Sequence, residues 1–237
     1  MAVYRTQGDA NFKNFGNTAV EVVSPMEWAD EVEKSRIDEH SWIERYKYEA
    51  ALIVDLIREK NYKKILELGS GPGMLAQYVL ELIPDLNYSF VDKDTSKVIF
   101  EKRGFKGSKF HVKDLMHSFD ISDLDNDYDL VIANDFLEHI ANPSHVMYQT
   151  RNITKKSASF FISVPNWRMN HEFIYRGLFD YDNFIYFCKI HGWDPESVSG
   201  SPLKCKHSPR ESSEQALPDE LVDSWNWYFL TNKLNDL

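Results

Sequence analysis

Apolar positions along this chain follow two alternating periods. Trp42, Tyr46, Ala50, Ile53 and Leu56 fall three or four residues apart, which predicts an amphipathic helix running to about residue 59. Ser41 and Glu44 hold capping-box positions at its start, and Ser24-Pro25-Met26-Glu27 repeats the device upstream. The pattern then becomes short apolar runs, each leading into a helical period. Residues 65–68, 88–91, 109–112, 128–133 and 159–164 read as strands. Helices are expected from Leu75 to near Pro84, from just after Asp92 to about Arg103, and from the opening Asn142-Pro143-Ser144.

Strands and helices alternating at this spacing imply βαβ units and a doubly wound α/β fold with a parallel sheet. Right-handed crossovers would bring the strand carboxyl ends to one edge. The flanks differ in character. Residues 1–23 carry Asn, Gly and Thr without periodicity and read as an irregular lead-in. After a helix over about 182–191, residues 194–218 form a Ser-, Pro- and Lys-bearing stretch, and the aromatic run 224–230 is a last strand candidate. The expected organisation is a lead-in and helical cap over residues 1–60, followed by a Rossmann-like domain over 61–237. No internal repeat, heptad or long linker divides the chain.

Composition narrows the function classes. The chain has 237 residues, a formal net charge of −10 and 43% hydrophobic residues, enough to build a core. No apolar run approaches the roughly 20 residues a helix needs to cross a bilayer. The N-terminal residues lack the apolar core of an export signal, and Cys188 and Cys205 are too few for a disulfide scaffold. These features point to a cytoplasmic protein with no membrane partner. The acidic balance also disfavours a nucleic-acid duplex.

In an open α/β sheet, ligands bind beyond the strand carboxyl ends. The residues there are Gly69-Ser70-Gly71-Pro72-Gly73, Asp92, Asp114, the run Asn134 to His139, and residues 165–171. The glycine turn lets backbone approach a ligand beside a helix N-terminus. Met74 stands where the dinucleotide fingerprint has its last glycine, and the lysine of a phosphate loop is absent. Asp92 follows Gly69 by 23 residues, at the end of the next strand, where a carboxylate can accept from both ribose hydroxyls or simply cap the following helix. Asp114 suits an adenine amino group or a plain turn.

ELGSGPG, FVDKD, VKDLM and YDLVIANDFLEHIANP, in this order, resemble the motifs of class I S-adenosylmethionine-dependent methyltransferases of the small-molecule type. The likeness is close over about 63–164 and looser beyond, where SWNWYFLTNKL resembles that fold's last, antiparallel strand. The resemblance implies a seven-stranded, mostly parallel Rossmann-like sheet and S-adenosyl-L-methionine as cofactor. It implies that Glu67, Gly69, Ser70, Gly71 and Gly73 flank the methionine moiety. Asp92 would hold the ribose, with Lys93 beside the adenine. Asp114 and Leu115 would frame the base, and Asn134 would lie beneath the sulfonium.

The run Asp135-Phe136-Leu137-Glu138-His139 allows two readings. Asp135, Glu138 and His139 could converge on a divalent metal, as a similar E-x-x-E-H set does in some relatives, although the first position here is shorter by one methylene. The other reading is a structural element of a metal-free site. His139 is a candidate general base, and His171 competes with it. Trp167, Phe173, Tyr175, Phe179 and Tyr181 could shape an acceptor pocket or belong to the core. Lys204, Lys206, His207 and Arg210 form a small basic island or a solvated loop. The expected reaction is methyl transfer to an oxygen or nitrogen of a small-molecule acceptor, with a catalytically silent binding protein as the alternative.

Overall fold

The structure, a computed structural model, describes residues 3–6, 20–23, 40–71, 73–105, 107–115, 120–165, 181–201, 221, 224 and 226–234. Its strands are β1 (Val3–Thr6), β2 (Val20–Val23), β3 (Lys64–Leu68), β4 (Asn87–Asp92), β5 (Lys109–Val112), β6 (Tyr128–Asn134), β7 (Thr154–Pro165), β8 (Trp193–Gly200) and β9 (Asn226–Lys233). Helices are α1 (His40–Lys60), α2 (Met74–Leu82), α3 (Asp94–Arg103), α4 (Pro143–Ile153) and α5 (Tyr181–Ile190), with a short 3₁₀ turn at Leu137–His139.

Seven strands form one sheet in the order β5-β4-β3-β6-β7-β9-β8. Six run parallel. β9 runs antiparallel to both neighbours, β7 and β8. This is the expected Rossmann-like sheet, with the chain order reversing between β3 and β6, so that a crevice opens at their carboxyl ends. Side chains alternate across it. Leu66, Leu68, Val131, Ala133, Phe160 and Ile162 face one core with α4 and α5. Ile65, Tyr88, Phe90, Leu130, Ile132 and Phe161 face another with α1 and α2. Each fully buried Leu, Ile or Phe contributes roughly 1.5–3 kcal/mol relative to exposure.

Local signals explain the helix ends. Asn61 takes a left-handed φ of 56°, and the Tyr62 N–H reaches the Ile57 carbonyl at 3.0 Å, a six-to-one closure of α1. Asn142 caps α4 by accepting from the His145 N–H at 3.2 Å, with Pro143 at the first helical position. Tyr46, Ala50, Ile53 and Leu56 of the expected α1 stripe are buried against α2 and the sheet. The upstream capping box at residues 24–27 lies outside the described residues.

Two expectations are corrected. The lead-in contains the antiparallel pair β1–β2, with Val3 opposite Val23 and Thr6 opposite Val20. Four-residue strands separated by 13 residues leave too short an alternation to register. The Ser-, Pro- and Lys-bearing stretch, to which no element was assigned, opens within a strand, β8 over residues 193–200. Its sequence, WDPESVSG, hides the strand because an edge position tolerates Pro195 and polar side chains, and the register shifts between Pro195 and Ser197.

Candidate functional site

The turn from β3 into α2 is shaped by glycines held at positive φ. Gly69 sits at 65°, Gly71 at 52° and Gly73 at 71°. Space matters as much as angle. A Cβ on Gly69 would lie 2.3 Å from Phe136 Cδ2, and one on Gly73 would lie 3.0 Å from Phe105 Cε2. The Gly69 N–H is tied to the Val91 carbonyl at 2.8 Å, so the turn is anchored to β4. Ser70 is buried within it, and its hydroxyl has no hydrogen-bond partner among the described residues.

Asp92 ends β4 and faces this turn. Its Oδ2 accepts from the Gly71 N–H at 2.6 Å and its Oδ1 from the Lys93 N–H at 2.7 Å. Burial pushes its pKa up, opposed by those two backbone donors. The bonds occupy part of the four or so lone-pair positions of a carboxylate, leaving capacity for ligand hydroxyls. Glu67, one residue before the end of β3, is buried and accepts from the Tyr88 hydroxyl at 2.9 Å. Burial raises its pKa to about 8, with Asp92 and Glu49 adding to the rise.

At the end of β6 lies a polar floor. The Asn134 side-chain N–H donates to Glu49 Oε2 at 3.0 Å, and the Tyr228 hydroxyl donates to Glu49 Oε1 at 3.0 Å. Arg45 lies one helical turn before Glu49 on α1, 3.3 Å from it, and also pairs with Asp135. Asp135 adopts a φ of 48° and accepts from the Ser163 hydroxyl and the Asn226 amide. Strand register makes this meeting possible, because Asn134 is opposite Ser163 on β7 and Pro165 is opposite Asn226 on β9. Burial raises the Glu49 pKa to about 7 despite the opposing Arg45 charge. Burial alone would lower the pKa of Arg45, but Asp135 and then Glu49 outweigh it and hold the guanidinium charged.

Other expected site residues fall as follows. Lys93 and Asp114 are exposed beside the ends of β4 and β5, and Leu115 is buried in the core next to them. His139 is half-buried on the 3₁₀ turn, its N–H bonded to the Phe136 carbonyl at 3.0 Å. His171, the basic island and the aromatics at 167, 173, 175 and 179 lie outside the described residues; Tyr181 packs edge-on to Trp227. The metal reading of Asp135, Glu138 and His139 is corrected. Asp135 is committed to Arg45, Ser163 and Asn226, and among the described residues no three His, Cys, Asp or Glu side chains group to hold a metal.

Five residues of the floor escaped the sequence reading: Arg45, Glu49, Ser163, Asn226 and Tyr228. One signal was available. Arg45 and Glu49 are charged residues four apart, in line with the apolar Ile53 of the same helix, where a solvated pair is out of place. Ser163, Asn226 and Tyr228 had no such mark, since strand pairing alone brings them to the site.

Comparison with known proteins agrees with this architecture. A family profile described as a methyltransferase domain matches residues 42–198. The 235L protein of Invertebrate iridescent virus 6, which bears a methyltransferase name, is 23% identical over 134 residues, covering 56% of this chain. That match spans 49%, about half, of the relative's length. A SAM-dependent methyltransferase from Aquifex aeolicus superposes with a TM-score of 0.60 at 13% identity, over 90% of this chain and 100% of its own. Burkholderia thailandensis 1,6-didemethyltoxoflavin-N1-methyltransferase, with bound 1,6-didemethyltoxoflavin and S-adenosylhomocysteine, gives 0.57 at 13% identity, over 95% and 99% of the two chains. With a family match across most of the sheet and a glycine turn facing an acidic strand end, the chain belongs to the methyltransferase-domain family, among the class I S-adenosylmethionine-dependent methyltransferases.

Proposed function

We propose that this protein moves the methyl group of S-adenosylmethionine to an oxygen or nitrogen of a small-molecule acceptor. The observation that carries this reading is the bond from the Gly71 N–H to Asp92. It sets an acidic strand end against a glycine turn that lacks the lysine of a phosphate loop, which suits a nucleoside without phosphates. Ser70 and Asn134 add buried polar atoms without partners among the described residues, as a ligand cradle would. Glu67, Gly69, Ser70, Gly71, Gly73 and Asn134 would hold the methionine and sulfonium end. Asp92, Lys93, Asp114 and Leu115 would hold the nucleoside.

The bound cofactor supplies a methyl group already activated by the sulfonium. The protein's task is to align an acceptor with it, exclude water and accept a proton where the acceptor is a hydroxyl. His139 and His171 are the proposed proton acceptors. The helical cap of residues 1–60 is proposed to close the site and exclude water, its α1 supplying Arg45 and Glu49 to the floor. The acidic charge and the 1,6-didemethyltoxoflavin bound in the Burkholderia thailandensis neighbour's structure support a small-molecule acceptor over a nucleic-acid duplex. A cytoplasmic location is part of the same proposal.

Calorimetric titration of the full chain with S-adenosylmethionine and with NAD tests the cofactor. Binding of the first and not the second is expected; tight NAD binding with none of S-adenosylmethionine would overturn the reading. Cofactor binding with no methyl transfer to any metabolite fraction would favour the silent binding protein.

A further inference from the structure

Four acceptor atoms at the carboxyl edge of the sheet have no hydrogen-bond donor among the described residues: Asn134 Oδ1, Asn226 Oδ1 and both carboxylate oxygens of Glu138. Glu138 is 0% exposed and Asn226 is 1% exposed. Buried polar groups are almost always paired, so unpartnered ones at a crevice mark where a ligand completes the bonding. The amide orientation is settled by chemistry. Asn226 directs its Nδ2 at Asp135 Oδ1 and, at 2.9 Å, at Ser163 Oγ; the flipped amide would turn its oxygen onto a carboxylate. Its Oδ1 is therefore the atom left facing no donor.

Charge points the same way. Glu49, Asp135 and Glu138 bring three carboxylates to this floor, and Arg45 is the guanidinium among them. Asp135 sits close enough to Glu138 to push its pKa further up after burial does, while His139 and Arg45 oppose the rise. The open atoms on Asn134, Asn226 and Glu138 are acceptors, and the carboxyl groups of the floor outnumber its guanidinium. A ligand cation bearing N–H groups would meet these acceptors and favour the ionised form of Glu138, as an anion would not.

We infer that the methyl acceptor carries a cationic, N–H-bearing nitrogen seated against Glu138 and Asn226. This rests on the methyltransferase reading above and narrows its acceptor to the amine class, whichever atom receives the methyl group. Glu138 supplies charge and two acceptor oxygens, and the Asn226 carbonyl supplies a third in a position fixed by Asp135 and Ser163.

The test uses the full chain, methyl-labelled S-adenosylmethionine and a cell extract separated on cation- and anion-exchange resins. Label is expected in a cation-retained product that is resolved from unreacted S-adenosylmethionine, itself a cation, and that does not form when the protein is left out. Glu138→Gln, which keeps shape and removes charge, should slow that transfer tenfold or more while cofactor affinity changes less than twofold by calorimetry. Label found in the anion-retained or unretained fraction overturns the inference, and so does an unchanged rate in the variant. The wild-type partition stands even if the variant folds poorly. A wild-type protein that binds no S-adenosylmethionine, or binds it and labels nothing, fails as a methyltransferase, and the inference fails with it.

Discussion

Glu49 on α1 and Asn134 at the end of β6 are joined by a 3.0 Å hydrogen bond between residues 85 positions apart in the chain. This contact couples the helix preceding the sheet to the residue that the family resemblance places beneath the sulfonium. Glu49 also receives the Tyr228 hydroxyl from β9, so one buried carboxylate links three elements. The arrangement makes α1 part of the site as well as part of the core.

Removing one member of that floor leaves charge stranded. Arg45→Met deprives Asp135 and Glu49 of their buried counter-ion and is expected to cost about 3–5 kcal/mol of stability, the usual penalty for breaking a buried pair. Urea denaturation monitored by circular dichroism measures it. A change below about 1 kcal/mol would show that the pair is not buried as described.

Asp92→Ala is expected to weaken S-adenosylmethionine about tenfold or more, on the order of 1.4 kcal/mol, by removing the acceptor for ribose hydroxyls and freeing the Gly71 N–H. Calorimetry reads it directly. Unchanged affinity would take Asp92 out of the site.

At Gly69 the obstacle is steric. An alanine Cβ would collide with the Phe136 ring at a backbone φ of 65°, so Gly69→Ala should destabilise the protein by about 1–3 kcal/mol. Combining it with Phe136→Leu should recover part of that loss. Equal stability of wild type and the single variant would contradict the close approach.

Three buried carboxyls have raised pKa values: Glu49 about 7, Glu67 about 8 and Glu138 about 8, each chiefly through burial. A carboxyl with a raised folded pKa binds more protons folded than unfolded. Its contribution is therefore complete below about pH 4 and is lost as pH rises through 7 to 8. Thermal stability of the ligand-free protein should fall between about pH 5 and 8, with Glu138→Gln flattening the slope. Binding of the cationic cofactor near pH 7 should release protons, since a positive charge favours the ionised carboxyls. Calorimetry in buffers of different ionisation enthalpy detects the release, and proton uptake would contradict it.

His139→Ala is expected to lower kcat by about 10²-fold while leaving cofactor affinity unchanged, as loss of a general base does. The same substitution at His171 discriminates between the two candidates. A full rate in the His139 variant assigns the proton to another group.

Much of this protein is determined by local sequence. Short apolar runs ending in glycine or acid, alternating with helical periods, are enough to imply the parallel sheet, and glycine and aspartate at fixed strand ends imply the nucleoside site. These features are readable because backbone conformation and strand termini depend on neighbours in the chain. Other features depend on partners far away in sequence. β8 is a strand because β9 offers it an edge, whatever Pro195 and its serines prefer. Arg45 and Glu49 are site residues because the α1 packing angle carries them to Asp135 and Asn134. Ser163 and Asn226 reach the floor through register across β7 and β9. The sequence by itself determined the fold and pointed to the proposed cofactor edge. Only the tertiary structure decided the buried polar floor, because its bonds join residues up to 179 positions apart that no local pattern relates.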